Sequence, residues 1–242
     1  MTYPRRAPRP HLLTRVEAVH DVTASMRQVD LVGPDVPRLR CSPGAHLVVR
    51  VPGGGGEARR VYSIWRHTPG ESRLSLRVAL HDAGGPGCDW ARRAAPGDRV
   101  TVEAPRSKIT IDRSAAFHLF IGDETGAVPL LAMRAALHGS DRPVHGVFEA
   151  PAPADEMPGA DGVPALPWVH RGTASAVASR VLLHAVQDLE VPSVGTGAAY
   201  VAGESETCRL IQRTLVEQRG FPRRTVHLQP QWAQGRPGFG AP

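Results

Sequence analysis

The stretch "FHLFIGDETGAVPLLAMRAALHG", Phe117–Gly139, decides the fold. Its first six residues form a short, nearly continuous apolar run, the pattern of a strand buried on both faces. The run stops at Gly122-Asp123, and from Thr125 the sequence predicts a helix to Gly139. A buried strand leading directly into a helix is the repeating unit of a parallel α/β sheet. The unit recurs downstream. "VHGVFEA" (144–150) reads as a strand and "SRVLLHAVQDL" (179–189) as a helix with Leu182, Val186 and Leu189 on one face. "AAYVAG" (198–203) is a strand and "SETCRLIQRTLVEQRG" (205–220) a helix. That helix opens on Ser205-Glu206 and closes on Arg219-Gly220, as capping and the helix dipole favour. "RTVHLQP" (224–230) closes the chain as a strand, and a Pro/Gly-rich loop spans 151–167.

Upstream of about Arg113 the period is two. In "LSLRVAL" (74–80), Leu74, Leu76, Val78 and Leu80 alternate with Ser75, Arg77 and Ala79. "HLVVRV", "DRVTVE" and "SKITID" (107–112) read as further short strands, separated by "GPDVP", "SPGA", "PGGGGE" and "PGD". One short helix, "CDWARRAA" (88–95), follows the glycines of "DAGGPG". The expected architecture is a small antiparallel Greek-key β-barrel, residues 1–113, followed by a parallel α/β domain, residues 114–242.

Composition excludes several classes. No apolar run approaches the roughly 20 residues that cross a bilayer. The start, "MTYPRRAPRP", reads as a frayed tail rather than a leader. Cys41, Cys88 and Cys208 are too scattered for a disulfide framework or a zinc site, and the 11 histidines show no ligand spacing. No metal is expected, and a reducing, cytoplasmic location is. The formal charge of +6 is carried almost entirely by arginine, with Lys108 the only lysine. It is spread along the chain rather than clustered, which argues against nucleic acid; a positive potential of this kind steers small anionic ligands.

Four segments carry chemistry. In "RRVYSIWRH", Arg60 and Tyr62 lie on one face of a strand, about 7 Å apart. A flavin needs an aromatic platform, a small donor near its ring and a cation for its phosphates; Tyr62, Ser63 and Arg60 supply these types. "LHDAGGPGCDWA" (80–91) places glycines before a helix, where free N–H groups and the dipole attract a pyrophosphate. "FIGDETGAVPLL" and "YVAGESETCRLI" are strand ends that open on one crevice in a doubly wound sheet, the usual ligand position.

In order and spacing the four segments resemble the siderophore-interacting proteins, FAD-containing ferric-siderophore reductases of the wider ferredoxin-reductase-like group. The resemblance runs from "LLTRVEAVHDVTASMRQVDLVG" to "PQWAQGRPG". Arg60, Tyr62 and Ser63 match the family's Arg-x-Tyr-Ser/Thr-x-Arg, with Trp65 in place of its second arginine and Arg66 adjacent. His81–Ala91 is similar to the family's His-x-x-x-Gly-Pro-x-x-x-Trp-Ala, with Cys88 where a hydroxyl is usual. "GDETGAVPLL" and "VAGE" resemble its two strand-end signatures, and "PQWAQG" retains only the tryptophan of Gly-Tyr-Trp-Arg, with Gln231 and Ala233 flanking Trp232.

The resemblance implies an FAD-dependent oxidoreductase linked to NADPH or NADH, with a barrel that binds FAD and an α/β half that binds the nicotinamide nucleotide. Arg60, Tyr62, Ser63, Ile64, His81, Gly84, Gly85, Gly87, Cys88 and Trp90 are expected around FAD. Asp123 and Thr125 are expected at the nicotinamide crevice, Glu204 and Tyr62 as catalytic residues, and Trp65, Arg66 and Trp232 at the substrate. Glu149 is a candidate for the ribose hydroxyls of NADH, and Arg134 or Arg142 for the 2′-phosphate of NADPH. The substrate is a ferric siderophore or, given the lost arginines, a flatter and less charged organic intermediate of a biosynthetic pathway.

Overall fold

The computed structural model of the 242-residue chain describes residues 10–81, 84–160, 162–192 and 196–236. Residues 1–9 of the expected frayed tail lie outside these residues. So do Asp82 and Ala83 of the glycine segment, Asp161 of the Pro/Gly-rich loop, and Pro237 and Gly238 at the end of the resemblance.

Six strands close the barrel: β1 (His11–Thr23), β2 (Met26–Val32), β3 (His46–Gly53), β4 (Gly56–Thr68), β5 (Arg73–Ala79) and β6 (Arg99–Glu103). Their order around the barrel is β1-β2-β5-β4-β3-β6. The run β6-β3-β4-β5 is a Greek key, three consecutive hairpin-linked strands with the fourth returning beside the first. Closure leaves no free sheet edge. Alternation fills the interior with Val16, Leu31, Leu47, Val49, Leu74, Leu76 and Val102. Helix α1 (Pro86–Arg93) packs Trp90 and Ala91 onto this core. It starts two residues earlier than expected because Pro86 occupies its first position, where a missing N–H is harmless.

The second half is a five-stranded parallel sheet in the order β11-β10-β7-β8-β9. The strands are β7 (His118–Asp123), β8 (Val144–Ala150), β9 (Trp168–His170), β10 (Ala198–Glu204) and β11 (Val226–Trp232). The helices are α2 (Glu124–Ala136), α3 (Arg180–Asp188) and α4 (Ser205–Glu217). The strand order reverses between β7 and β10, so their carboxyl ends frame the switch-point crevice.

Two local expectations are corrected. Residues 107–112 form no strand. Ile109 is drawn instead into the cluster around α2, and the Asp112 amide donates to the Tyr200 hydroxyl (2.7 Å), so the segment is the joint between halves. The three-residue edge strand β9 was hidden by the prolines preceding it; it pairs Phe148, Glu149 and Ala150 with Trp168, Val169 and His170.

The halves meet over a shared apolar cluster that joins Met26 and Trp65 of the barrel to Val128, Leu131 and Met157 of the α/β half. The loop after β8 straps across the barrel: Ser25 Oγ donates to Asp155 Oδ1 (2.7 Å) and Arg77 Nη1 to the Pro158 carbonyl (2.9 Å). Met157 between them is buried.

Close approach of α2 to β10 requires glycine. A Cβ on Gly126 would lie 2.1 Å from the Ala202 carbonyl oxygen, and one on Gly122 2.5 Å from the same atom. Gly126→Ala is therefore expected to destabilise the chain by about 1–3 kcal/mol, the usual cost of overpacking. Urea denaturation measures this; unchanged stability would show that α2 does not sit so close to the sheet.

Candidate functional site

Asp123 ends β7 and caps α2. Its Oδ1 accepts from the Thr125 amide (2.9 Å), the Thr125 hydroxyl (2.6 Å) and the Gly126 amide (2.9 Å). Its Oδ2 accepts from the Glu204 amide (2.8 Å) and from Trp232 Nε1 (3.1 Å). One buried carboxylate thus ties together the ends of β7, β10 and β11 and the start of α2. Gly203, at φ 133, lets the carboxylate lie against β10; a Cβ there would sit 2.6 Å from Asp123 Cγ. Glu204 caps α4 in the same way, its Oε2 accepting from the amides of Glu206 and Thr207, both at 2.8 Å.

These bonds decide where an anion can go. A helix N-terminus attracts phosphate only while its first N–H groups are free. Helices α2 and α4 begin on carboxylates that accept from those groups, and α3 begins on Ser179 Oγ, which accepts from the Leu182 amide. Among the described residues, α1 is the α-helix that starts without a side-chain cap, on Gly85 at φ 108.

The barrel brings the expected FAD residues to that helix. Arg60 and Tyr62 of β4 converge on its first turn: a Cβ on Gly87 would lie 2.2 Å from the Tyr62 hydroxyl and 3.3 Å from Arg60 Cγ. Tyr62 stacks on Trp90 with ring centroids 5.9 Å apart. Arg60 donates Nη1 to the Arg59 carbonyl and makes no ion pair among the described residues. The carboxylate of Glu103 is taken by Arg59, through Nε (3.0 Å) and Nη2 (2.9 Å). Space is open where Cβ atoms of Gly84 and Gly85 would be, and His81 is exposed beside them. A guanidinium with no ion pair among the described residues, an uncapped helix start and side-chain-free glycines fit the pyrophosphate of FAD. Cys88 donates its thiol to the Ala79 carbonyl (3.4 Å), so its side chain faces the barrel. Burial pushes the Tyr62 phenol above its ordinary range, with Cys88 adding and Arg60 opposing. Tyr62 therefore keeps its proton and offers a ring and a donor, not a base.

Ser63 points to the other side of β4, toward the sheet. Its Oγ lies 3.3 Å from Gln231 Oε1 on β11, next to Trp232. The cradle and the carboxyl edge of the sheet thus flank one strand, roughly 10 Å apart from Arg60 to Ser63 at 3.3 Å per residue. Ile64 turns into the barrel core, and its amide donates to the Ala45 carbonyl (2.8 Å).

The expected substrate residues divide. Trp232 sits at the crevice on Asp123, and Arg66 is exposed. Trp65 lies at a bulge between Ile64 and Arg66, which turns its ring into the seam. The ring is 7% exposed, with the Arg77 guanidinium 3.5 Å over its centroid. Arg77 makes no ion pair among the described residues and donates to Gln28 and to the Pro158 carbonyl; burial, with Arg66 adding and Asp30 opposing, pushes it down to about 10. Trp65 and Arg66 also border a cavity of 310 Å³ with Cys41, Ala132 and Ala135. Those alanines lie two to three turns along α2, roughly 12–16 Å from its start at 1.5 Å per residue. Burial there pushes the Cys41 thiol up to about 11.

The candidate nucleotide-selecting residues are not available as expected. Glu149 is fully buried and accepts from Ser179 Oγ, the Leu182 amide (3.1 Å) and Arg171 Nη1 (3.3 Å). Arg171 also grips both oxygens of Glu124, at 2.6 and 2.8 Å. Burial raises both carboxyls, with Arg171 opposing. Arg134 ends α2 and Arg142 precedes β8, both at the opposite edge of the sheet from Asp123. Sequence reasoning missed the Glu124–Arg171–Glu149 triad and Gln231. Their partners are remote in the chain, and no local spacing signals them.

Comparison with known proteins agrees with this geometry. Residues 115–235 match the family of siderophore-interacting proteins and residues 44–109 the siderophore-interacting FAD-binding domain; the chain belongs to this family. Its fold is a ferredoxin-reductase-like barrel and parallel sheet. A siderophore utilization protein from T. fusca superimposes with a TM-score of 0.80, at 26% identity, covering 96% of each chain. The mycobactin import ATP-binding/permease protein IrtA of Mycobacterium tuberculosis is 25% identical over 94% of this chain and 26% of its own length. Ferric vibriobactin reductase ViuB of Vibrio cholerae is 25% identical over 73% of this chain and 65% of its own. The chain thus spans about a quarter of the first of these relatives.

The cradle generates a direct expectation. The Arg60→Ala/Tyr62→Ala double variant is expected to weaken FAD binding at least tenfold with the fold intact, as followed by flavin fluorescence and circular dichroism. Undiminished affinity would contradict the placement of FAD on β4 and α1.

Proposed function

We propose that the chain is an FAD-dependent oxidoreductase that uses NADPH or NADH to reduce a ferric siderophore in the cytoplasm. The observation that carries this reading is the pairing of an uncapped, arginine-flanked helix start on the barrel with the carboxyl edge of the parallel sheet, across one strand. Residues 1–113 hold FAD and residues 114–242 the nicotinamide nucleotide. The family membership and the ferric reductase among the relatives support the same reaction class.

Held there by Arg60 and Tyr62, an FAD would supply the exchange between two-electron reduction by a nicotinamide and one-electron reduction of Fe(III). Arg60 and the first amides of α1 hold its phosphates. Trp232 and Thr125, fixed by Asp123, wall the crevice and limit water. Glu204 contributes by fixing the start of α4: its Oε2 accepts from two backbone amides, so the residue shapes the wall of the crevice. Iron is substrate here, and among the described residues no group of three or more His, Cys, Asp or Glu side chains could hold a metal ion.

The chain lacks arginine at 65 and 233, which favours a second substrate class, a flat organic intermediate. A panel assay separates the two. With FAD and NADPH or NADH, ferric chelates are expected to yield ferrozine-trapped Fe(II) well above the rate with free FAD. Fe(II) only at that background, with turnover of a quinone or unsaturated carbonyl in the same panel, would transfer the assignment to the organic substrate.

A further inference from the structure

We propose that Gln231 is a positioning residue that aims the Ser63 hydroxyl and so biases the site toward reduced over oxidised FAD. The proposal rests on the reading that the crevice beside Ser63 receives the flavin ring.

The orientation of the Gln231 amide is fixed at both ends. Nε2 lies 3.3 Å from the Gln229 carbonyl, which can only accept, so the nitrogen must face it. Oε1 is thereby turned to Ser63 Oγ, 3.3 Å away. An amide oxygen has no proton to give, so Ser63 is the donor in this pair. Ser63 is 4% exposed, which leaves its hydroxyl little water to turn toward. With its one proton committed to Gln231, the hydroxyl can only accept from anything else nearby.

That commitment matters because the two redox states of an isoalloxazine differ at one ring position. The oxidised ring presents a bare nitrogen that needs a donor; the reduced ring presents an N–H that needs an acceptor. A serine free to rotate serves either state, whereas a serine whose proton is held by Gln231 serves the reduced state. The control comes from β11 of the α/β half, not from the barrel that carries Ser63. Docking of the two halves would then contribute to the redox balance of the cofactor. The described hydrogen bonds of Asp123 and Glu204 go to other groups, and the described bond of the Ser63 hydroxyl goes to Gln231.

The test compares the affinities of oxidised and reduced FAD in the full chain, by anaerobic titration or by the midpoint potential that links them. Gln231→Leu frees the Ser63 proton. It is expected to shift the ratio about fivefold toward oxidised FAD, the worth of one net hydrogen bond, or about 20 mV more negative for a two-electron couple. In a Ser63→Ala background the same substitution is expected to produce no shift. An unchanged potential in Gln231→Leu would overturn the proposal, as would a shift that persists without Ser63. Wild-type chain that binds no FAD would overturn the underlying reading and the proposal together. Normal wild-type binding with no effect of Gln231 would overturn the proposal alone.

Discussion

The carboxylate of Asp123 organises the half of the molecule that faces the barrel. It is buried, has five donors and makes no ion pair among the described residues. A carboxylate removed from water is tolerable only when its lone pairs are filled, and here they are filled from three separate parts of the chain. Parallel strands end on one edge, so their following loops crowd together, and the glycines at 122, 126 and 203 allow the crowding. What results is a rigid wall, with both helices at the switch point capped by acids. That arrangement refuses a phosphate at α2 and α4 and leaves α1, across the seam, as the helix start open to one.

The seam is the second constraint. Trp65, roofed by Arg77, and Met157 of the strap lock the barrel and sheet together behind the crevice, while Ser63 and Gln231 connect them in front. A cation against an indole in a desolvated seam contributes about 2 kcal/mol, and with the bonds to Gln28 and the Pro158 carbonyl it offsets the burial of Arg77. The same packing accounts for a tryptophan at a position where an arginine was expected. Its ring fills space between halves and borders the neighbouring cavity.

Much of this was legible in the sequence because it is local. The period of two before residue 113 and the strand–helix units after it define both layers, and alternation along β4 places Arg60 with Tyr62 and apart from Ser63. The glycines of "DAGGPG" before a helix mark the cradle, since they let a ligand approach the backbone where the first N–H groups of the helix are free. The strand expected at 107–112 fails because Ile109 and Ile111 alternate for a different reason, the crossing between halves. Long-range pairs were not legible. Glu149 looked like a ribose ligand at the end of a strand, yet Ser179 and Arg171 turn it into a structural anchor. Gln231 looked like a lost tyrosine, yet its two bonds give it a task of its own.

The central claim is that one chain holds FAD on β4 and α1 and admits a reduced nicotinamide at the carboxyl edge of the sheet. Anaerobic addition of NADPH or NADH to the FAD-loaded chain tests it most directly, with the visible flavin absorbance as the signal. The account predicts complete bleaching by one equivalent of at least one of the two nucleotides, faster than that of free FAD by several orders of magnitude. Bound flavin that remains yellow with both would contradict it, leaving a protein that keeps the fold and the cofactor but not the exchange of electrons between its two halves.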